Sequence, residues 1–285
     1  MQNQSHRQSW QFKISDNAGE DAVSYLCHHT GLSKGKIKNA MNKGAVWLQR
    51  GRRKRRRLRR ATAPLRPGDQ LSVFYDPVLL AIVPPAGKML WQRQEYSLWY
   101  KPAGLLSQGN EYGDHVSLLR QAELAQAPRN QAYLVHRLDR EAHGLMLIAH
   151  SPVAARKLSD MFQQRQIRKC YEVRVSGQPQ QAKAEIRILL DGKSAVSSYE
   201  LIEYAEESNT STLLVQIETG RRHQIRRHLA MMGNPVLGDP QYGQGNKNTA
   251  GLQLCAFRLQ FTCPFTRERR DFELNSLLAD SGQVA

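Results

Sequence analysis

The sequence predicts an α+β protein made of a small N-terminal module and a larger strand-rich domain. Residues 12–76 combine apolar side chains at helical spacing with short strand-like stretches. From Glu95 onward strand-like apolar runs dominate, and two intervening segments, near residues 152–164 and 222–232, have a helical pattern. Residues 77–94 contain three prolines and are typical of a linker. We therefore predict a module over 12–76, a linker over 77–94 and a second domain over 95–278.

The N-terminal module is predicted to begin with two helices. Apolar residues recur at helical spacing in both: Ala22, Val23, Leu26, Ile37, Ala40 and Met41. Ser33 is a suitable N-cap for the second helix and Gly44 a suitable stop, and the strand-like stretches AVWLQ and DQLSVFY follow. This order and the stretch GLSKGKIKNAMNKGAVWL resemble the alpha-L RNA-binding fold first seen in ribosomal protein S-four, with a longer arginine-rich loop here.

The charge of the chain indicates a polyanionic partner. Its 285 residues include 41 Lys and Arg against 25 Asp and Glu, a net charge of +16. Such a field favours nucleic acid, and we expect no membrane partner because no lipidation motif or basic amphipathic helix is evident. No apolar run suits a membrane span, and the polar first residues predict no secretory signal. Four cysteines without CxxC spacing favour a cytoplasmic protein over a disulfide framework or thiolate zinc site.

The highest local charge lies in the stretch RGRRKRRRLRR, residues 50–60, in which nine of eleven residues are cationic. A solvated loop is the simpler interpretation. Contact with RNA phosphates is favoured, because clustered cations gain free energy by releasing counterions from a nucleic acid. The predicted RNA-binding residues of this stretch are Arg52, Arg53, Lys54, Arg55, Arg56 and Arg57.

The first candidate site is the stretch HRLDREAHGLMLIA, which lies between two predicted buried strands. Loops held by rigid strands often carry catalytic groups, although Asp139 also suits an ordinary turn. His136, Asp139 and His143 have the ligand types of a metal site. Because Arg137 and Arg140 flank the carboxylate, a divalent ion is electrostatically disfavoured, and we predict no metal.

A second candidate site is the stretch TGRRHQIRRHLAMMGNPVLGDPQYG, residues 219–243. Its pattern predicts a helix over residues 222–232, with Arg222 and Arg226 one turn apart. Taken alone, this pattern is typical of a solvated basic helix.

Two shorter motifs also contain polar groups beside predicted strands. YKPAG places Lys101 at a strand end, before a proline and a glycine that form a rigid turn. RKCYEV begins another strand, with Lys169 and Tyr171 on the same face. A tyrosine in a strand is more often a packing residue than a chemical one.

The four motifs KPAG, HRLDR, RKCYEV and TGRRHQIRRHLAMMGNPVLGDPQYG, in this order, resemble the RluA-type family of pseudouridine synthases over about Tyr96–Leu274. The resemblance implies a catalytic domain with a central mixed, largely antiparallel sheet flanked by helices and loops. It also implies isomerisation of uridine, which requires no redox change, hydrolysis or energy source, so no cofactor is expected.

The resemblance further implies a role for particular residues. Asp139 corresponds to the essential catalytic carboxylate, and Arg226 to the arginine that pairs with it. Tyr171 corresponds to the tyrosine that contacts the target base and helps to move its proton. Arg137 is expected to open the RNA and hold the flipped nucleotide. Lys101 and Gln224 are expected, like Arg137, to be among the RNA-binding residues, where they would shape the pocket or hold nearby structure.

The chain departs from the usual family pattern at several positions. The family commonly has Thr-Ser at the positions of Ala142 and His143, a small hydroxyl residue at Arg222 and a histidine at Cys255. These departures leave the carboxylate, the arginine and the tyrosine in place. Because of these departures, the RNA target of this chain should not be inferred from that of its relatives.

The expected function is therefore isomerisation of specific uridines in structured RNA, with 23S ribosomal RNA favoured and transfer RNA as the alternative. A non-catalytic RNA-binding or ribosome-assembly factor would tolerate loss of Asp139, so its retention favours an enzyme. A two-metal nuclease would need a carboxylate cluster, and none is evident. Nothing in the sequence requires more than a monomer.

Overall fold

The structure confirms the α+β class. It is a computed structural model that describes residues 7–15, 21–126, 131–243 and 250–280. Contacts between residues divide the chain into two units. The first comprises residues up to Pro84 together with Gln108–Gln121, and the second comprises Pro85–Ser107 and the residues after Gln121. In the described ranges, no helix is both long enough and apolar enough to cross a bilayer.

The first unit contains an antiparallel sheet of four strands in the order β1-β4-β2-β3, together with short helices. Its elements are β1 (Gln8–Lys13), α1 (Ala22–Thr30), α2 (Lys34–Asn42), β2 (Val46–Gln49), β3 (Arg56–Arg57), β4 (Gln70–Tyr75) and α3 (Pro77–Ala81). The two predicted helices are confirmed, and all six of their apolar residues are buried in one cluster. Ser33 caps α2 as predicted, because its hydroxyl accepts the Lys36 N–H. The similarity to the alpha-L fold stays a prediction.

The second unit is built on a mixed sheet with the strand order β10-β11-β12-β9-β13-β8-β6-β5, while β14 pairs with β13 and β7 with β8. The elements that follow α3 are, in chain order, β5 (Lys88–Gln92), β6 (Tyr96–Lys101), α4 (Leu118–Ala125), β7 (Tyr133–Leu134), β8 (His143–Ala149), α5 (Pro152–Gln163), β9 (Arg168–Ser176), β10 (Lys183–Leu190), β11 (Lys193–Ala205), β12 (Thr210–Ile217), α6 (Gln224–Met231), β13 (Leu254–Thr262), β14 (Arg269–Glu273) and α7 (Leu274–Asp280). The first half of α4 belongs to the first unit. Among the described strands, only β8 and β13 pair in parallel. The sheet is therefore mixed and largely antiparallel, as expected.

Strand β8 lies inside the sheet, between β6 and β13. Its residues Leu145–Ala149 are completely buried, which explains their continuous apolar run. Helix α5 packs Ala154 and Leu158 into the same apolar cluster as Leu145 and Leu147. The helices expected near residues 152–164 and 222–232 are confirmed as α5 and α6.

Residues 77–94, predicted as a linker, contain the boundary between the two units at Pro84 and Pro85, but they also form a helix and a strand. Pro77 occupies the first turn of α3, where its missing N–H costs nothing, and the Asp76 carboxylate caps that helix by accepting the Leu79 N–H at 3.0 Å. Farther along, Lys88–Gln92 forms β5, which pairs with β6. The prolines suggested a linker because proline often interrupts regular structure. Proline also occurs in the first turn of helices, as Pro77 does here.

Gly144 of β8 lies against the backbone of β13. A Cβ on Gly144 would lie 2.3 Å from the Ala256 carbonyl oxygen, and its φ is +119°. We expect Gly144→Ala to lower the free energy of unfolding by at least ~3 kcal/mol, because backbone strain and a steric clash combine.

The matched control is Gly192→Ala, since Gly192 also has positive φ but no atom within 4 Å of the added Cβ. Its expected cost is only about 1–2 kcal/mol. Urea denaturation of both variants measures the difference. Equal losses would contradict the proposed clash between β8 and β13.

Candidate active site

Asp139 lies in the loop between β7 and β8, and its side chain remains partly exposed. Helix α6, 87 positions later in the chain, carries Arg226 to it. The Arg226 guanidinium donates from Nη1 to Asp139 Oδ2 at 3.1 Å. The two residues that the family resemblance pairs are thus in direct contact in the folded chain.

Arg226 is also held by a second carboxylate, Asp239, which sequence reasoning missed. Nε and Nη2 of Arg226 each donate to one Asp239 oxygen at 2.7 Å, and both side chains are buried. Asp239 Oδ1 also accepts the backbone N–H groups of Gln241 and Tyr242. The only sequence signal for this residue is its place in the motif GNPVLGDPQYG. The Arg226 guanidinium therefore bridges Asp239 and Asp139 by hydrogen bonds.

Hydrogen bonding fixes the charges of the buried pair. Burial alone would raise the pKa of Asp239, but hydrogen bonds from Arg226 and from the backbone outweigh it, so the pKa is lowered. Burial would likewise lower the pKa of Arg226, and its hydrogen bonds to the two carboxylates raise it instead. The guanidinium is therefore charged at any physiological pH and presents a fixed cation to Asp139.

Tyr171 of β9 lines the same cleft as Asp139, and this cleft has a volume of about 640 Å³. Burial, and next the negative charge of Asp139, raise the pKa of the Tyr171 hydroxyl, which therefore stays protonated near neutral pH. Lys169, two residues earlier on the same face, also lines the cleft, and burial lowers its pKa to about 8. Arg137 is exposed at the cleft wall. The cleft thus places Asp139 beside several cations.

His223 is a second residue of the site that sequence reasoning did not single out. It precedes α6 with a left-handed backbone, φ +52°, which costs a non-glycine residue about 1–2 kcal/mol. Its Nε2 lies 3.9 Å from Asp139 Oδ2, and its Nδ1 lies 3.1 Å from the Tyr242 hydroxyl. Burial lowers the pKa of His223 more than Asp139 raises it, which favours the neutral ring. Strained residues of this kind gather at functional sites.

Comparison with known proteins assigns the chain to a family. The signature of the RNA pseudouridylate synthase family matches residues 95–231. An uncharacterized RNA pseudouridine synthase of Chloroflexus aurantiacus is 32% identical over 233 residues, which cover 74% of this chain and 71% of that protein. This chain belongs to the RNA pseudouridine synthases.

Further relatives support the RluA-type resemblance. The dual-specificity RNA pseudouridine synthase RluA of Escherichia coli K12 is 32% identical over 169 residues, covering 54% of this chain and 76% of that protein. A solved human structure, RNA pseudouridylate synthase domain containing 4, has the same fold, with a TM-score of 0.55 and 22% identity over 67% of this chain and 91% of that one. The chain is thus an isomerase that acts on RNA.

In this pseudouridine synthase, Lys101 is not placed to bind RNA. Its side chain is completely buried, and Nζ donates to the carbonyl oxygens of Pro102, Leu105 and Arg140. All three N–H groups of the ammonium are therefore used inside the protein. The Arg140 contact holds the residue directly after Asp139, so Lys101 positions the loop that carries Asp139.

Gln224 is likewise buried, although it is among the residues that line the cleft. Its Nε2 donates to Val196 O and Ser197 Oγ of β11, and its Oε1 accepts from Thr219 Oγ1 and from the Arg221 N–H. These four bonds tie the turn before α6 to β11. The RNA contact expected at Gln224 gives way to a structural role, because every polar atom of its amide is occupied.

Replacement of Asp239 tests whether the buried pair positions Asp139. Asp239→Asn should lower the free energy of unfolding at pH 7 by roughly 3–5 kcal/mol, because the buried guanidinium loses its counterion. It should also lower turnover, on the order of 10²-fold, through misorientation of Asp139. Since the folded pKa of Asp239 is lowered, its contribution is present at neutral pH and is lost in acid.

The control is Asp191→Asn, which removes an exposed carboxylate that also receives two bonds from an arginine, Arg227. Exposed pairs contribute little, so stability and turnover should be nearly unchanged. Chemical denaturation at pH 7 and pH 3, with single-turnover assays, gives both readouts. Equal stability of Asp239→Asn and wild type at pH 7 would contradict the role of the pair.

Proposed function

We propose that this RNA pseudouridine synthase isomerises specific uridines of 23S ribosomal RNA, with Asp139 as the catalytic carboxylate. The observation that carries the assignment of Asp139 is its hydrogen bond to a buried guanidinium at the wall of a basic cleft. A net charge of +16 and the predicted RNA-binding module favour a large structured RNA over transfer RNA. The predicted monomer fits a site formed by one chain.

The reaction breaks the N1–C1′ bond of uridine, turns the uracil and forms a C5–C1′ bond, while C5 loses its proton and N1 gains one. Bond cleavage places positive charge on the ribose, and a nearby carboxylate stabilises such charge, as in glycoside hydrolysis. Two routes are open to Asp139: addition to C1′ or removal of the C2′ proton. Both require an ionised carboxylate, and the Arg226 guanidinium donates a hydrogen bond to this carboxylate at 3.1 Å.

Tyr171 is proposed to contact the target base. Tyr171 lines the cleft that contains Asp139, and burial keeps its hydroxyl protonated by raising its pKa. A protonated hydroxyl donates a hydrogen bond to a uracil carbonyl and can relay a proton during the exchange between C5 and N1. The ring offers stacking to the uracil, which offsets part of the cost of leaving the RNA stack.

Arg137 is proposed to assist entry of the uridine. A base that leaves the RNA stack costs a few kcal/mol. Arg137 is exposed at the cleft and makes no ion pair with any described residue, so its guanidinium is available to a phosphate or a neighbouring base. The selectivity for one uridine then comes mainly from RNA shape and unpaired bases.

Tritium release from [5-³H]uridine in total ribosomal RNA and in total transfer RNA tests this function. Both RNAs are prepared from cells that lack the protein. Wild type should release tritium from ribosomal RNA, and Asp139→Asn should release none while its RNA affinity stays within about twofold, because cations supply most of the affinity. Asp160→Asn, an exposed carboxylate on α5, is the control and should match wild type.

Each arm of that experiment addresses a separate part of the proposal. Full activity of Asp139→Asn would eliminate Asp139 as the catalytic group. Release from transfer RNA alone would replace the ribosomal target. Absence of release from both RNAs, despite RNA binding by wild type, would contradict isomerisation of naked RNA by this chain.

Tyr171→Phe separates the hydroxyl from the ring. We expect a single-turnover rate lower by roughly 10²–10⁴-fold, because a positioned proton donor is lost, with nearly unchanged RNA affinity. Tyr204→Phe is the control, since the Tyr204 hydroxyl donates to the Asn209 side chain at 3.0 Å in an exposed contact and Tyr204 does not line the cleft. An unchanged rate for Tyr171→Phe would limit Tyr171 to stacking.

A further inference from the structure

The arginine-rich stretch of residues 50–60 does not behave as one uniform cationic loop. Arg57 donates from Nε to Asp114 Oδ2 at 2.9 Å and from Nη2 to the Asn110 carbonyl oxygen at 2.8 Å. Its guanidinium also lies over the Trp47 ring, 4.2 Å from the centroid. Only 16% of the Arg57 side chain is exposed. The Arg57 guanidinium is therefore already occupied by contacts within the first unit.

Arg59 belongs to the same internal set. Its guanidinium donates to Asp114 and, at 2.7 Å, to the Asn42 carbonyl oxygen. Asp114 thus receives two arginines, and it lies in Gln108–Gln121, the segment that joins the first unit although it was predicted in the second domain. The ion pairs of Asp114 give the physical reason for that grouping.

A second set of cations faces away from these contacts. Arg53, Lys54 and Arg56 are exposed, and none of them has an ion pair with a residue in the described part of the chain. Arg56 and Arg57 are consecutive in β3, so their side chains leave opposite faces of the strand. Strand geometry therefore separates an external arginine from an internal one at adjacent positions.

The external set lines a concave pocket of about 480 Å³. Its lining residues are Leu48, Arg50, Arg53, Lys54, Arg56, Arg66, Pro67 and Asp69. Five of these side chains are cationic and one is acidic. Asp69 is buried, and its Oδ2 already accepts from Arg50 Nε at 3.2 Å and from the Arg66 backbone N–H at 3.1 Å. The pocket therefore retains a net positive charge, because its one carboxylate neutralises only one of the five cations.

We infer that this pocket binds the phosphodiester backbone of the RNA substrate through Arg53, Lys54 and Arg56, whereas Arg57 and Arg59 hold the first unit together. Guanidinium groups bind phosphate oxygens through paired N–H donors, and concentrated cations gain affinity by counterion release. The inference rests on the RNA substrate of the proposed function. It does not depend on Asp139 or on which RNA is modified.

The test compares the triple variant R53Q/K54Q/R56Q with the double variant R57Q/R59Q. Binding to a fluorescein-labelled RNA stem-loop is measured between about 50 and 200 mM salt, and each variant is also unfolded thermally. The triple variant should reduce the slope of log affinity against log salt by about 2–3 and lower affinity at least tenfold, because up to three phosphate contacts disappear. Its melting temperature should equal that of wild type.

The double variant should show the reverse pattern. It should melt at a lower temperature, because Asp114 loses both cations, while its salt slope stays close to that of wild type. If the double variant does not fold, the single variants Arg56→Gln and Arg57→Gln repeat the comparison, since each removes one positive charge.

Two outcomes would overturn the inference. The first is an unchanged salt slope in the triple variant. The second is loss of binding to phosphatidylserine vesicles with unchanged RNA binding, which would make the pocket a membrane contact. Tritium release by wild type, measured in parallel, separates failure of the pocket from failure of the proposed function.

Discussion

Arg226 and Asp239 are removed from water together, and the rest of the active site depends on how this pair is satisfied. Desolvation costs several kcal/mol for each buried ion, so such a pair is stable only when its hydrogen bonds are complete. Both Asp239 oxygens receive a guanidinium N–H, and one also receives two backbone N–H groups. The remaining Nη1 then faces Asp139. Rotation of Arg226 would leave Asp239 buried without a counterion, so the direction of the contact to Asp139 is fixed.

The sheet brings these distant residues to one place. β8 and β13 run parallel, so the chain segments that lead into them reach the same edge of the sheet. Asp139 lies on the segment before β8, and Asp239 lies on the segment before β13. β6 runs antiparallel to β8, and its last residue, Lys101, pairs with Gly144 at that edge. The buried Lys101 ammonium can therefore hold the Asp139 loop through its hydrogen bond to the Arg140 carbonyl oxygen.

Sequence patterns predicted the parts of this arrangement that are local. Continuous apolar runs gave β8, and helical spacing gave α5 and α6, because burial of one face leaves a periodic trace. The 13-residue strand β11 was missed, since its apolar residues do not keep a regular two-residue alternation and its register shifts between Leu201 and Glu203. The burial of Lys101 was also invisible, because its three acceptors are backbone carbonyls, which carry no residue-type signal. Asp239 and His223 were present in a quoted motif, but their roles depend on contacts across the fold.

The departures from the family pattern fall into two groups in the structure. His143 of β8 and Cys255 of β13 lie opposite each other in the register of the two strands, and neither lines the cleft. Burial lowers the pKa of His143, which favours a neutral packed ring there. Ala142 and Arg222, in contrast, both line the cleft. Arg222 adds a cation where a hydroxyl residue is usual, and a cation binds phosphate without reading bases. Divergence at the cleft therefore adds a positive charge there and leaves the Asp139–Arg226 contact intact.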